Sequence, residues 1–251
     1  MSAVDTEFYE GFGGAKLAVH RLGVGRPLLL LHGLFSSAEV NWIKFGHAAT
    51  IAEAGFEVIM PDLRAHGQSA APQEPEAYPH DVLVTDLEAL VRALGLSDYD
   101  LGGFSLGART ALKGVIHGLA PRRLVLGGMG LEGLVKWGGR SDFFLDVIAR
   151  FGTIPRDDPA YFAQNFMRTM KIDPVAAKLL LESIEGTGIS DFSAVTMPTL
   201  VVCGTEDRDN GSPHALVEEL AQGFLAEIPG THMSCVTKRE LGAEIARFLA
   251  G

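Results

Sequence analysis

Asp100-Leu101-Gly102-Gly103-Phe104-Ser105-Leu106-Gly107-Ala108-Arg109-Thr110-Ala111-Leu112 is the stretch on which the fold of this chain turns. Tyr99-Asp100-Leu101 reads as the end of a strand and Arg109-Thr110-Ala111-Leu112 as the first turns of a helix, with a sharp turn and a serine between them. A turn this tight crowds the backbone, so the positions two before and two after the serine must be small; both are glycine, Gly103 and Gly107. Such an elbow pushes the Ser105 hydroxyl out of the sheet, beside a helix N-terminus whose N–H groups lack intrahelical partners and favour negative charge. An exposed nucleophile next to an anion-stabilising site is the requirement for acyl transfer.

Outward from the elbow, the chain alternates strand and helix. Phe8 to Glu10 and Ala15 to Arg21 form an N-terminal hairpin around a glycine-rich turn. Pro27-Leu28-Leu29-Leu30-Leu31 is continuously apolar, as a central parallel strand covered on both faces requires, and a helix capped by Ser36 or Ser37 follows. Phe56 to Met60 is a further strand. Asp81 to Leu94 has helical apolar spacing ending at Gly95, and another strand lies at Arg123 to Leu126. The pattern predicts an α/β protein, a mostly parallel central β-sheet with helices on both faces and right-handed crossovers.

From Gly127 to about Thr196 the alternation lapses and helical segments take over, two of them announced by Asp158-Pro159 and Asp173-Pro174. Five of the 14 phenylalanines, Phe143, Phe144, Phe151, Phe162 and Phe166, fall in this stretch. Strands resume at Pro198 to Gly204 and Gly223 to Ile228, Ser212-Pro213 caps a helix between them, and Thr237-Lys238-Arg239-Glu240 reads as a capping box opening the last helix. The expected organisation is a core domain of residues 1–127 and 197–251 with a helical cap insertion at 128–196, hinged at Gly138-Gly139 and Gly186-Thr187-Gly188.

At 251 residues one α/β domain with an insertion is the expectation, and 47% hydrophobic with 21% charged residues describes an ordinary globular chain. With 31 acidic against 21 basic residues the formal charge is −10, which disfavours nucleic acid and anionic membranes as partners. The acidic start lacks a signal-peptide pattern, and no apolar run reaches membrane-spanning length. Cys203 and Cys235 suit a reducing compartment. A soluble cytoplasmic protein acting on a small molecule is expected. There is no metal-binding motif, and no metal or cofactor is expected.

These features resemble the α/β-hydrolase superfamily over essentially the full length. In that fold nucleophile, acid and histidine follow in this order, the acid after a late strand and the histidine after the last. The resemblance implies Ser105 as nucleophile, Asp207 as acid and His232 as base, with Asp209 on the same loop an alternative acid. It implies an oxyanion hole made by the backbone N–H groups of Leu34 and Leu106, His32 being an architectural hydrogen-bonder. Asp62-Leu63-Arg64-Ala65-His66-Gly67-Gln68-Ser69 is similar to a family loop with glycine where Ala65 stands, and alanine there argues against a left-handed backbone. The implied activity is that of a serine hydrolase, a carboxylesterase or thioesterase with a substrate pocket roofed by Phe143, Phe144, Phe162 and Phe166.

Three other readings stay open. Arg109, one turn beyond Ser105, could hold a substrate carboxylate, as in a family branch that breaks carbon–carbon bonds; a structural ion pair is the competing role. Gly128-Met129-Gly130-Leu131-Glu132-Gly133 is formally a dinucleotide fingerprint, though it follows a late strand rather than the first. The fold can also serve as a binding module without turnover.

Overall fold

The computed structural model describes residues 4–184 and 188–251. Strands β1 (Asp5–Glu10), β2 (Lys16–Leu22), β3 (Arg26–Leu31), β4 (Phe56–Pro61), β5 (Asp100–Phe104), β6 (Leu124–Gly127), β7 (Thr199–Gly204) and β8 (Gly223–Ile228) form one sheet in the order β1-β2-β4-β3-β5-β6-β7-β8. Pairing is parallel from β4 through β8, with β1 and β2 an antiparallel hairpin at one edge. The chain reverses direction of travel between β3 and β5, so a crevice opens at their C-terminal ends.

The leucine run of β3 shows why that strand is central. Leu28 and Leu30 face one side, with Trp42, helix α1 (His47–Glu53) and helix α9 (Glu240–Ala250); Leu29 and Leu31 face the other, with helix α2 (Val82–Ala93) and helix α3 (Leu106–Ile116). All four are at most 1% exposed, and each such burial stabilises by roughly 2 kcal/mol.

Between β6 and β7 lie four helices, α4 (Leu131–Val135), α5 (Trp137–Ala149), α6 (Tyr161–Thr169) and α7 (Pro174–Ser183). Their apolar faces, including Leu134, Val147, Met167, Leu180 and Leu181, join the same core as the α2 and α3 side of the sheet. Asp173 caps α7 as its sequence implies, its carboxylate accepting from the N–H groups of Val175 and Ala176. Two other start signals are read differently by the structure. Asp158 accepts from the Ala160 N–H in the turn before α6, and Arg150 binds the same carboxylate. Thr237 is not a helix cap: its hydroxyl donates to the Ser234 carbonyl in a short 3-10 turn, and α9 begins at Glu240. Helix α8 (Pro213–Glu219) is capped by Ser212 as expected.

The two elbow glycines have separate duties. A Cβ on Gly103 would lie 2.3 Å from the Gly107 carbonyl carbon, and one on Gly107 would lie 2.4 Å from the Leu31 carbonyl oxygen. The first permits the turn itself, and the second lets α3 start against the end of β3. The glycines of the apparent dinucleotide fingerprint have packing roles instead: a Cβ on Gly130 would strike the Gly211 backbone, and one on Gly133 would strike Asn210. Helix α4, five residues long, is thereby pressed onto the loop that follows β7.

Gly107→Ala should destabilise the protein by about 2 kcal/mol or more, because the clash is with backbone that cannot move aside. Gly139→Ala, in α5 with nothing within 4 Å of the new methyl, should be neutral or stabilise by up to about 1 kcal/mol. Urea midpoints of the two variants test both signs.

Candidate active site

Ser105 occupies the single position between β5 and α3, with φ 52° and ψ −114°. A serine in this left-handed region is strained, and the strain is held by the glycine packing on either side. Its Oγ is 3.1 Å from His232 Nε2, and His232 Nδ1 is 2.8 Å from Asp207 Oδ2. His232 follows β8 and Asp207 follows β7, so three separate strand ends deliver the three side chains to one place. Asp207 is 5% exposed; burial alone would raise its pKa, but the hydrogen bond and charge of His232 outweigh this and hold it below the usual carboxylate value. An ionised Asp207 fixes the proton on Nδ1, leaving Nε2 to accept from the serine hydroxyl.

The carboxylate of Asp209, the alternative acid, does not reach His232. The Asp209 N–H donates to Asp207 Oδ1 at 3.0 Å, while the half-exposed carboxylate faces Arg140 at 3.8 Å. The loop therefore presents one carboxylate to the imidazole and turns the other outward.

A Cβ placed on Gly33 would lie 3.5 Å from the Ser105 Cβ, so the loop after β3 passes beside Ser105. Two N–H groups of that loop are occupied: Gly33 donates to Asn41 Oδ1 at 3.0 Å and Phe35 to His66 Nε2 at 2.9 Å. The N–H of Leu34, between them, has no acceptor among the described residues, nor does that of Leu106 at the start of α3. His32 and His66 are the internal struts here. His32 donates Nδ1–H to the Gly33 carbonyl and accepts the Leu63 N–H at Nε2; His66 donates Nδ1–H to the Arg64 carbonyl and accepts the Phe35 N–H. Because carbonyls only accept and amides only donate, each ring is confined to one neutral tautomer. Burial lowers both pKa values, that of His66 to about 3.

The segment carrying His66 is itself heavily bonded. Asp62 accepts from the N–H groups of Ala38 and Gln68 and pairs with His20, and Arg64 grips Asp86 through two 2.8 Å bonds. These contacts impose a left-handed backbone on Ala65, φ 65°, contrary to the expectation from its missing glycine; its N–H is held by the Ala70 carbonyl. The surroundings absorb a cost of about 1 kcal/mol.

The other residues named from sequence scatter. Phe144 packs edge-on against Phe35, ring centroids 5.5 Å apart, with Phe143 set edge-on beside it and partly exposed. Phe166 packs on the core, and Phe162 is 82% exposed on the outer face of α6, so it does not serve as a dry pocket wall. Arg109 is 1% exposed, and burial lowers its pKa to about 10 against the opposing charge of Asp81, a carboxylate that pairs with Lys113. Gly138 and Gly139 lie in the first turn of α5, Gly188 packs against the Val135 carbonyl, and Gly186 and Thr187 lie outside the described residues. Sequence reasoning missed His66, whose spacing from Asp62 carries no local signal of a partner at Phe35, and Arg140, one of many charged residues on an amphipathic helix. Among the described residues no group of three or more His, Cys, Asp or Glu side chains is placed to hold a metal ion, and no helix is long and apolar enough to cross a membrane.

The alpha/beta hydrolase fold family model matches residues 26–114. Over 232 residues the chain is 29% identical to an AB hydrolase superfamily protein of Bacillus subtilis, covering 83% of each. A hydrolase structure from Pseudomonas aeruginosa is similar with a TM-score of 0.80 at 20% identity, covering all of both chains. A thermophilic esterase from Thermogutta terrifontis gives 0.77 at 22% identity, covering 99% of this chain and 98% of that one. At such identities the two structures speak to the fold.

The struts predict an acid-sensitive protein. Below its ordinary value of 6.5 the unfolded His66 binds a proton that the folded ring refuses until about pH 3, so its contribution to stability is complete above 6.5 and is lost progressively on acidification. About 3 kcal/mol should disappear by roughly pH 4.5 from this residue alone. Asp62 and Asp207, held low, weaken the fold only below the ordinary carboxylate value of 3.8. Denaturant titrations between these limits should show a shallower pH slope for His66→Gln, which keeps an acceptor for Phe35 but cannot titrate.

Proposed function

We propose that this chain, a member of the α/β-hydrolase superfamily, is a serine hydrolase that cleaves small or medium, mostly apolar carboxylic esters or thioesters through an acyl-enzyme. The observation that carries this reading is the unbroken hydrogen-bonded run from Ser105 Oγ through His232 to Asp207 at a strained elbow. The Thermogutta terrifontis protein of similar fold is an esterase, which agrees with it.

In this mechanism His232 Nε2 removes the Ser105 proton as Oγ attacks the acyl carbonyl, and Asp207 stabilises the resulting imidazolium through Nδ1–H. The oxygen that becomes negative is received by the N–H groups of Leu34 and Leu106, assisted by the N-terminal end of α3. Collapse of the tetrahedral intermediate expels an alkoxide or thiolate that takes the proton from His232. Water then attacks the acyl-enzyme with the same histidine as base. His32 and His66 hold the Leu34 side of this hole while remaining neutral, so they add no positive charge and take no proton.

The preference for apolar acyl groups rests on Phe144 and Phe143 of the insertion, which we take as a cap over the crevice, and on Phe35 beneath them. The serine at the elbow distinguishes the site from family members that use a carboxylate nucleophile. In the reducing cytoplasm, where this reading places the protein, the two buried cysteines stay as thiols.

With p-nitrophenyl esters of increasing chain length, Ser105→Ala should abolish turnover while leaving the thermal midpoint intact; activity within about tenfold of wild type would remove Ser105 from the chemistry. Asp207→Asn should lower kcat by on the order of 10⁴, far more than Asp209→Asn. The reverse ranking would transfer the acid role. Phe144→Ala should move the preferred acyl length upward by opening the roof, and an unchanged length profile would make the residue simple packing.

A further inference from the structure

Arg140 and Phe144 stand one turn apart on α5 and therefore share a face of that helix. Phe144 lies on Phe35, the residue after Leu34, at one side of the nucleophile. Arg140, its side chain 22% exposed, reaches the loop after β7. Its guanidinium donates to the Asp209 carbonyl, pairs with the Asp209 carboxylate at 3.8 Å and sits 5.6 Å from the Phe144 ring centroid. One helix face thus touches both the loop beside the nucleophile and the loop that carries Asp207.

The bonds continue inward without a break. Asp209 N–H donates to Asp207 Oδ1, His232 donates to Asp207 Oδ2, and Ser105 donates to His232. We propose that Arg140 is a positioning residue that clamps the 207–209 loop from the insertion, so that the Asp207–His232 pair is aligned for Ser105 only when α5 is seated. The proposal rests on the serine hydrolase reading and extends it to a residue outside the Ser-His-Asp set.

Other groups around the pair leave this duty to Arg140. Arg208 donates to the Asp207 backbone carbonyl and does not reach its carboxylate. Cys203 and Cys235 lie nearby as neutral thiols, burial first and the charge of Asp207 second pushing both up to about 12. Asn210 and Glu132 anchor the far end of the loop, through the Gly128 carbonyl and the Ser212 N–H. The end next to Asp207 is tied to the sheet by the N–H groups of Glu206 and Asp207, which donate to the Gly230 and Gly204 carbonyls, while Arg140 reaches it from the insertion and its charge also favours ionised Asp207. Burial lowers the pKa of the guanidinium, with Asp209 and then Asp207 opposing.

The test compares wild type, Arg140→Gln, Arg140→Lys and Asp209→Asn by steady-state kinetics on a p-nitrophenyl ester and by the rate at which a small dialkyl fluorophosphate labels Ser105. Arg140→Gln should slow both kcat and labelling on the order of tenfold to a hundredfold with KM nearly unchanged, the signature of a misaligned rather than an empty site. Arg140→Lys, which keeps the cation, should recover part of the loss. Asp209→Asn, which keeps both backbone bonds, should show a smaller loss of the same kind. An effect confined to KM would make Arg140 a substrate contact and overturn the proposal, as would wild-type labelling and kcat in Arg140→Gln. If Arg140→Gln does not fold, Arg140→Lys and Asp209→Asn decide by the same two rates, and wild-type values in both overturn it. Failure of Ser105→Ala to abolish labelling would instead overturn the serine hydrolase reading, whatever the Arg140 variants do.

Discussion

The rest of the structure depends on a close approach of backbone to backbone at the elbow. Gly107 lies so near the carbonyls of Leu31 and His32 that a methyl group would overlap them, and Gly103 is as tightly set against Gly107. Helix α3 can therefore begin at the end of β3, where the sheet changes direction of travel. Ser105 is left in a left-handed conformation with no alternative, its hydroxyl beside the first N–H groups of α3. The strain at one residue is offset by the packing of two glycines and of a central strand whose four leucines are at most 1% exposed.

Around that fixed point the two sides of the site are built from different chemistry. The side holding Leu34 is supported from within by imidazoles that cannot become charged without losing a backbone bond, because each ring accepts an amide N–H. The side holding Asp207 is supported from outside, by the insertion. Gly130 and Gly133 bring α4 against residues 210 and 211, Glu132 accepts the Ser212 N–H, and Arg140 grips Asp209. The insertion therefore has two relations to the crevice, an aromatic one through Phe144 and an ionic one through Arg140.

This division bears on how the insertion is attached. Its helices share a core with the α2 and α3 face of the sheet, and Ser183 at the end of α7 accepts the Asp81 N–H at the left-handed start of α2. Arg109 and Lys113 gather around the Asp81 carboxylate beneath this contact. Buried charges of this kind specify register more than they add stability, so the cluster sets where α7 ends relative to the sheet.

The sequence by itself determined the features that depend on neighbours along the chain. Gly103, Ser105 and Gly107 announce the elbow because the turn is local, and the leucine run of β3 announces a strand covered on both faces because burial on two sides removes alternation. The strand ends that carry Ser105, Asp207 and His232 were legible for the same reason, while their joint role was implied by the family resemblance and not by local pattern. Only the tertiary structure decided what depends on segments distant in sequence. It turned the Asp207 carboxylate toward His232 and that of Asp209 toward Arg140, although the two lie on one loop and differ in direction rather than in chemistry. It sent Phe162 to solvent while packing Phe144 on Phe35, and it buried Arg109 to 1% exposure. It forced Ala65 into a conformation its side chain disfavours, through bonds from Asp62, Arg64 and His66 to partners far along the chain. It gave Arg140 a partner that no spacing along α5 could indicate. A side chain's role is written in the sequence when its partner is within a turn or two, and is set by the fold when the partner arrives from another strand.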